Sequence, residues 1–251
     1  MTPGVLFEAT DGVGRITLNR PEASNAIDLA TARSFGAAVT AAAADGVKTI
    51  LLTGSGKRFC AGGDVRSFLQ AAEPSAYLHE LATVLEFELR RLAELPKPVV
   101  AGVHGAVAGA GLAFVLNSDI VVAGRSTKFL MAYAGIGLTP DCGVSYLLPR
   151  VIGTQRALDL ALTGRVLTAE EALAWGLVTE VVDEHLVHER TAEIASRLAD
   201  GPANALGQAK RLIRSSYEVA RERSAEDEAK TIAAAVETKE AQRLVEQFIG
   251  K

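Results

Sequence analysis

The chain has 251 residues, of which 49% are hydrophobic and 22% charged, with a net charge of −4. That supplies one sizeable buried core, and the acidic balance argues against a nucleic-acid or anionic-membrane surface. Two cysteines, Cys60 and Cys142, make no disulfide framework, so the expected setting is reduced and cytoplasmic. The first residues lack the basic and apolar pattern of a secretory signal, and no apolar run reaches membrane-spanning length.

In chain order, Val5 to Ala9 and Val13 to Leu18 flank Asp11-Gly12 and predict a β-hairpin. Asp28 is placed to cap an alanine-rich helix running to about Ala44. Lys48 to Thr53 predicts a strand, and a glycine-bearing loop then leads to a short helix over Val65 to Gln70. Leu78, Leu81, Leu85, Leu89 and Leu92 recur at helical spacing and predict a long helix from Ser75, its expected cap, to Leu95.

Val99 to Val103 reads as a buried strand that feeds a run of glycines and alanines and then an apolar helix over Leu112 to Leu116. Small residues at such a junction either let backbones pack closely or leave N–H groups facing an anionic oxygen. Both readings stay open on this stretch alone. It is not a Walker loop, since no Gly-Lys-Ser/Thr follows, and Phe114 stands where a dinucleotide fingerprint needs its third glycine.

Asp119 to Ala123 predicts a strand, and helices follow at Val144 to Leu148 and Gln155 to Leu162. Thr168-Ala169-Glu170-Glu171 is a capping box, and Leu177 to Val182 predicts the last strand. Helices alone are expected beyond it, over His185 to Ala199, Pro202 to Ser216 and Arg221 to about Phe248. The division is therefore an α/β core over 1–183 and a helical region over 184–251.

Four stretches together resemble the crotonase superfamily, also called the enoyl-CoA hydratase/isomerase family. They are Leu18-Asn19-Arg20-Pro21 with Asn25-Ala26, Thr53-Gly54 with Phe59-Cys60-Ala61-Gly62-Gly63-Asp64, and Lys97-Pro98 with Gly105 and Ala108-Gly109-Ala110-Gly111. The fourth runs from Gly135 through Asp141 and Leu148-Pro149-Arg150 to Leu162-Thr163-Gly164 and Ala174-Trp175-Gly176-Leu177-Val178.

The resemblance implies a spiral of ββα units, with terminal helices that build a homotrimer or a dimer of trimers. It implies an acyl-coenzyme A thioester as ligand, with no cofactor beyond the coenzyme A that the substrate carries; His79, His185 and His188 show no metal-ligand spacing with Cys60 or Cys142, so no metal site is expected. It assigns the amides that hold the thioester oxygen to Ala61 and Ala110. Gly62, Gly63, Asp64, Val65, Gly109, Tyr133 and Pro140 are implied to bind substrate. Ala23, Asn25, Lys57 and Arg58 are implied to border the coenzyme A nucleotide.

The family's hydratases carry two glutamates that activate water, and the matching positions here are Ala113 and Tyr133. Asp141 is the carboxylate left near that centre, at a position where isomerase branches place a catalytic aspartate. A dehalogenase branch uses an aspartate there too, but its histidine partner matches Glu86 and its tryptophan matches Tyr133. A lone aspartate fits double-bond isomerisation, with burial among Leu138, Val144 and Tyr133 expected to make it a better base. A hydratase with an unusual acid set, a coenzyme A-ester hydrolase, and a binding protein without chemistry are the rival readings.

Each residue also has a plainer role. Asp141 suits a turn that caps the next helix, Asp64 a helix cap, and Lys57 and Arg58 a solvated loop. Glu86 and Glu88 fit a solvated helix face, with an approach to the site as the alternative. His104 reads as a structural hydrogen-bonding residue rather than a base.

Overall fold

The computed structural model describes residues 3–250. Strands β1 (Val5–Thr10) and β2 (Val13–Leu18) form the expected hairpin, antiparallel and in register Val5 to Leu18. Next come β3 (Thr49–Gly54), β4 (Val99–Val103), β6 (Ile120–Gly124) and β9 (Glu180–Val182), which add in parallel. The six-stranded order is β1-β2-β3-β4-β6-β9. Strands β3 and β4 are buried along their whole length, which is why they read as continuous apolar runs rather than alternating ones.

A second sheet was not foreseen. The chain leaves β4 at His104-Gly105 and makes a short strand β5 (Ala106–Ala108) before entering helix α4 (Ala110–Leu116). Strand β5 pairs in parallel with β7 (Lys128–Leu130), which pairs antiparallel with β8 (Leu167–Thr168). The small residues therefore do two jobs: Ala106 to Ala108 build a strand, and only Gly109 turns the chain into the helix.

Helix α1 (Leu29–Ala42) begins where Asp28 accepts from the Thr31 N–H at 2.7 Å. Helix α2 (Val65–Leu69) is capped by Asp64. Helix α3 (Pro74–Glu94) starts at Pro74, and the expected cap Ser75 lies inside its first turn. Its leucines at 81, 85, 89 and 92 are buried, each stabilising the fold by about 1.5–3 kcal/mol. Helices α5 (Val144–Ile152) and α6 (Thr154–Thr163) follow, and the Thr168 capping box opens α7 (Ala169–Ala174) as expected.

Helix α8 (Val187–Ala199) lies across the second face of the large sheet, where Ile194 and Ala195 pack on Leu51, Val100 and Val122. Helix α9 (Ala203–Ser215) is tied to the same sheet by Lys210, 8% exposed, whose Nζ meets Asp119 at 3.0 Å and donates to the Lys97 carbonyl at 2.8 Å. Burial pulls the Lys210 pKa down, and Asp119 opposes that pull. The last strand ends at Val182, and among the described residues only helices follow, with α8 packed on the sheet. The single long helix expected beyond Arg221 is two, α10 (Arg221–Val236) and α11 (Lys239–Ile249), because Thr238 caps a new start. Neither contributes a buried residue.

Candidate active site

Two stretches of main chain meet at the end of the small sheet. A parallel bridge joins Cys60 to Val107: the Cys60 N–H donates to the Ala106 carbonyl at 3.2 Å, and the Ala108 N–H to the Cys60 carbonyl at 3.0 Å. Behind them, Phe114 packs edge-on against Phe35 and Phe59, with centroids 5.0 and 6.3 Å apart. Phe59 leads into the first stretch and Phe114 lies on α4, so one aromatic contact fixes both.

The turns themselves need glycine. Gly109 sits at φ 51°, ψ −115°, and Gly62 at φ 111°. These are conformations that a β-carbon makes costly. A β-carbon built on Gly62 would lie 3.3 Å from the Ala108 carbonyl oxygen.

The hydrogen bonds decide which amides are free. The Ala61 N–H, expected to face the ligand, donates to the Ser24 carbonyl at 3.1 Å. The next pairing runs through Ile27, whose N–H donates to the Gly62 carbonyl and whose carbonyl accepts from the Asp64 N–H, both at 2.8 Å. This parallel bridge turns the Gly63 N–H the other way, and among the described residues it donates to nothing. Gly63 lines the cavity, and no atom lies within 4 Å of a β-carbon built on it. At the other turn, the Ala110 N–H is the first of α4 and likewise has no acceptor among the described residues. The amide pair is Gly63 and Ala110, a shift of two residues from the Ala61 expectation.

A cavity of about 460 Å³ opens in front of these amides. Leu78, Leu81 and Leu85 of α3 form an apolar wall, with Ile27, Val65 and Phe68 beside them. Opposite lies the segment after β7, which brings Tyr133, Leu138 and Asp141 to the cavity. Cys142 (φ 49°) and Gly143 (φ 75°) are both left-handed and present Asp141 rather than burying it in a helix cap. Asp141 does not cap α5, whose first turn makes no side-chain cap bond.

The Asp141 side chain is half-buried, and its Oδ1 accepts from the Tyr133 hydroxyl at 2.9 Å. Its Oδ2 makes no protein hydrogen bond among the described residues. Burial, reinforced by the Asp141 carboxylate, raises the Tyr133 pKa, so this phenol stays protonated. Burial likewise raises the Cys142 thiol, and it pushes the Cys60 thiol up to about 12. Neither sulfur is a ready nucleophile.

Several expected ligand contacts have other work. Asn25, 1% exposed, accepts from the Arg20 N–H and donates to the Ser55 and Arg58 carbonyls, each at 2.8 Å. It clamps two loops from inside and cannot reach a ligand. Asp64 caps α2 and pairs with Arg20 at 3.0 Å. Ala23 lies in a 3₁₀ turn away from the cavity lining, and Pro140 shapes the turn before Asp141 without lining it. Lys57 and Arg58 are exposed and form no ion pair among the described residues.

Arg66, which sequence reasoning missed, is a third such cation on α2, one residue beyond the cavity-lining Val65. Glu86 pairs with Arg90 at 3.5 Å and Glu88 with Arg91 at 2.6 Å, so neither lines the cavity. His104 Nε2 donates to the Gly56 carbonyl at 2.9 Å, in keeping with a structural role. No group of three His, Cys, Asp or Glu side chains among the described residues is placed to hold a metal, and none of their helices is long and apolar enough to cross a membrane.

The mixed α/β fold is shared with proteins whose structures are solved. An enoyl-CoA hydratase of Mycobacterium smegmatis superposes with a TM-score of 0.92 at 30% identity, covering 99% of this chain and 96% of that one. The sequence profile described as enoyl-CoA hydratase/isomerase matches residues 8–251. The chain therefore belongs to the enoyl-CoA hydratase/isomerase family, the crotonase superfamily.

Among curated relatives, the 1,2-epoxyphenylacetyl-CoA isomerase of Escherichia coli is 41% identical over 217 residues, covering 84% of this chain and 82% of that protein. A trans-2-decenoyl-[acyl-carrier-protein] isomerase of Streptococcus mutans is 35% identical over 215 residues, covering 83% and 81%. Members of the family are enzymes, and both isomerases and hydratases stand among these relatives.

Proposed function

We propose that the protein is an enoyl-CoA isomerase that moves a carbon–carbon double bond through an enolate. The observation that carries this reading is the cavity's charge inventory. Asp141 is the sole carboxylate lining it among the described residues, and it shares that cavity with Gly63 and Ala110, whose amides are unpaired. Hydration as the family's hydratases perform it uses two glutamates, and Ala113 and Tyr133 occupy those positions.

In the reaction, the thioester oxygen accepts from the Gly63 and Ala110 N–H groups. Asp141 takes a proton from the carbon next to the carbonyl of a 3-enoyl thioester, and the C–H electron pair moves toward that oxygen. The same carboxyl group then returns the proton at the far end of the conjugated system, and the 2-enoyl thioester leaves. Preorganised donors act most strongly on charge that forms during the reaction, roughly 3–4 kcal/mol for each one removed. Both donors here are main chain, so no side-chain reorganisation accompanies the charge.

Lys57, Arg58 and Arg66 supply unpaired positive charge for the phosphates of coenzyme A. The exposed apolar residues Ile232, Val236, Val245 and Phe248 on α10 and α11 support self-association, as a trimer or a dimer of trimers.

The test is incubation with 2-enoyl, 3-enoyl and cyclic dienyl coenzyme A esters in labelled water, followed by mass spectrometry. Isomerisation without gain of water is expected, and Asp141→Asn abolishes it while ester binding persists. Addition of water to a 2-enoyl ester would instead mark a hydratase, and unchanged turnover in Asp141→Asn would remove the aspartate from the mechanism.

A further inference from the structure

Tyr133 lies between the two sides of the site. Its hydroxyl donates to Asp141 Oδ1 at 2.9 Å. A β-carbon built on Gly109 would lie 3.8 Å from its Cζ and 3.9 Å from its Oη, so the phenol end lies about a methyl group's width from the turn that carries the Ala110 amide. The rest of the ring lines the cavity. Asp141 Oδ2 is left without a protein partner and, in a half-buried residue, is not among the buried unpartnered atoms, so it is open to the cavity.

We propose that Tyr133 is a positioning and specificity-determining residue: its hydroxyl occupies Asp141 Oδ1 so that the proton travels on Oδ2, and its ring fills the space from which water would reach the enolate. This rests on the isomerase reading and deepens it. A carboxylate held at one oxygen cannot swing, so the other oxygen stays over the acyl group through both proton transfers. The phenol gives up no proton, because burial and the adjacent carboxylate both disfavour its anion. It remains a donor while Asp141 takes the proton onto Oδ2 and gives it back. The ring takes up space between the amide turn and the acid, so less water reaches the enolate and the proton returns to the substrate that lost it.

The other titratable groups near this wall are His79 of α3, which lines the same cavity, and Cys142, beside Asp141 and held neutral by burial. Glu86 acts on that thiol from α3. His79 and Glu86 make no hydrogen bond to Asp141 among the described residues, and the Cys142 thiol, kept protonated by burial, interacts with the Asp141 carboxylate as a weak donor.

Two variants separate the hydroxyl from the ring. Tyr133→Phe keeps the ring and removes the donor, and kcat is expected to fall by about tenfold. KM is expected to stay near the wild-type value, because the ring that lines the cavity is kept. Tyr133→Ala also opens the space. With substrate deuterated beside the carbonyl, it carries much less label to the far carbon per turnover than wild type, whereas Tyr133→Phe carries most of it.

Label transfer is normalised per turnover, and kcat is taken per folded molecule from the melting transition, so partial misfolding leaves both unmoved. A wild-type kcat in Tyr133→Phe, or wild-type label transfer in Tyr133→Ala, overturns the inference. Asp141→Asn, assayed alongside, separates the failures: if it is inactive the isomerase reading stands without Tyr133, and if it turns over normally the reading itself is lost.

Discussion

The two walls of the cavity are built in opposite ways. The amide wall, from Cys60 to Gly63 and from Ala106 to Ala110, is held by a strand bridge, by the pairing with Ile27 and by the Phe35–Phe59–Phe114 cluster. The acid wall, from Tyr133 to Gly143, is loop and 3₁₀ turn, with Ala134 to Gly137 exposed and two consecutive left-handed residues at its end. A stabiliser of developing charge gains from rigidity, since donors already in place need not reorganise. An acid that serves two carbons of one substrate needs only its own carboxyl held, and the Tyr133 hydroxyl does that.

Mutations should divide along this line. The largest loss is expected from Phe114→Ala, which empties the contact behind both amides and costs about 3–5 kcal/mol of stability by denaturant unfolding. Next comes Gly109→Ala, where a β-carbon in a glycine-only conformation costs about 1–3 kcal/mol and lowers kcat by displacing the Ala110 amide. On the acid wall, Ile136→Ala removes a 55% exposed side chain that still lines the cavity. Stability there should change by less than about 0.5 kcal/mol while KM rises. Equal stability losses on the two walls would erase the contrast.

The smallest effect is one of pH, under the amide wall. The His188 ring lies 5.9 Å from the His104 ring. Desolvation of the ring, then His104 and Arg15, lower the His188 pKa, although the residue as a whole is exposed. The unfolded chain therefore binds this proton more readily than the folded one. Stability is full above about pH 6.5, the ordinary histidine value, and falls as pH drops from there toward the folded value. Melting curves at pH 5 and pH 7.5 should differ slightly less for His188→Gln than for wild type.

Much of this was legible from residues alone. The Asp28 and Thr168 caps, the leucine stripe of α3 and the β1–β2 hairpin depend on neighbours a few positions away, and local chemistry specifies them. The free amide was not legible at the right residue. Whether Ala61 or Gly63 faces the cavity is decided by Ser24 and Ile27, some 36 residues earlier, whose backbone groups leave no mark in a motif. Asn25 misled for the same reason: its side chain is spent on the Ser55 and Arg58 carbonyls, a pairing that only tertiary structure creates. Asp141 was placed through family resemblance, since its turn chemistry alone read as a helix cap.

Cys60 and Cys142 are both buried, and burial holds both protonated. A maleimide or an iodoacetamide therefore finds no reactive sulfur until the chain opens. Alkylation followed by intact-mass spectrometry becomes a clock for opening events, with one thiol beside each wall and no engineered reporter required.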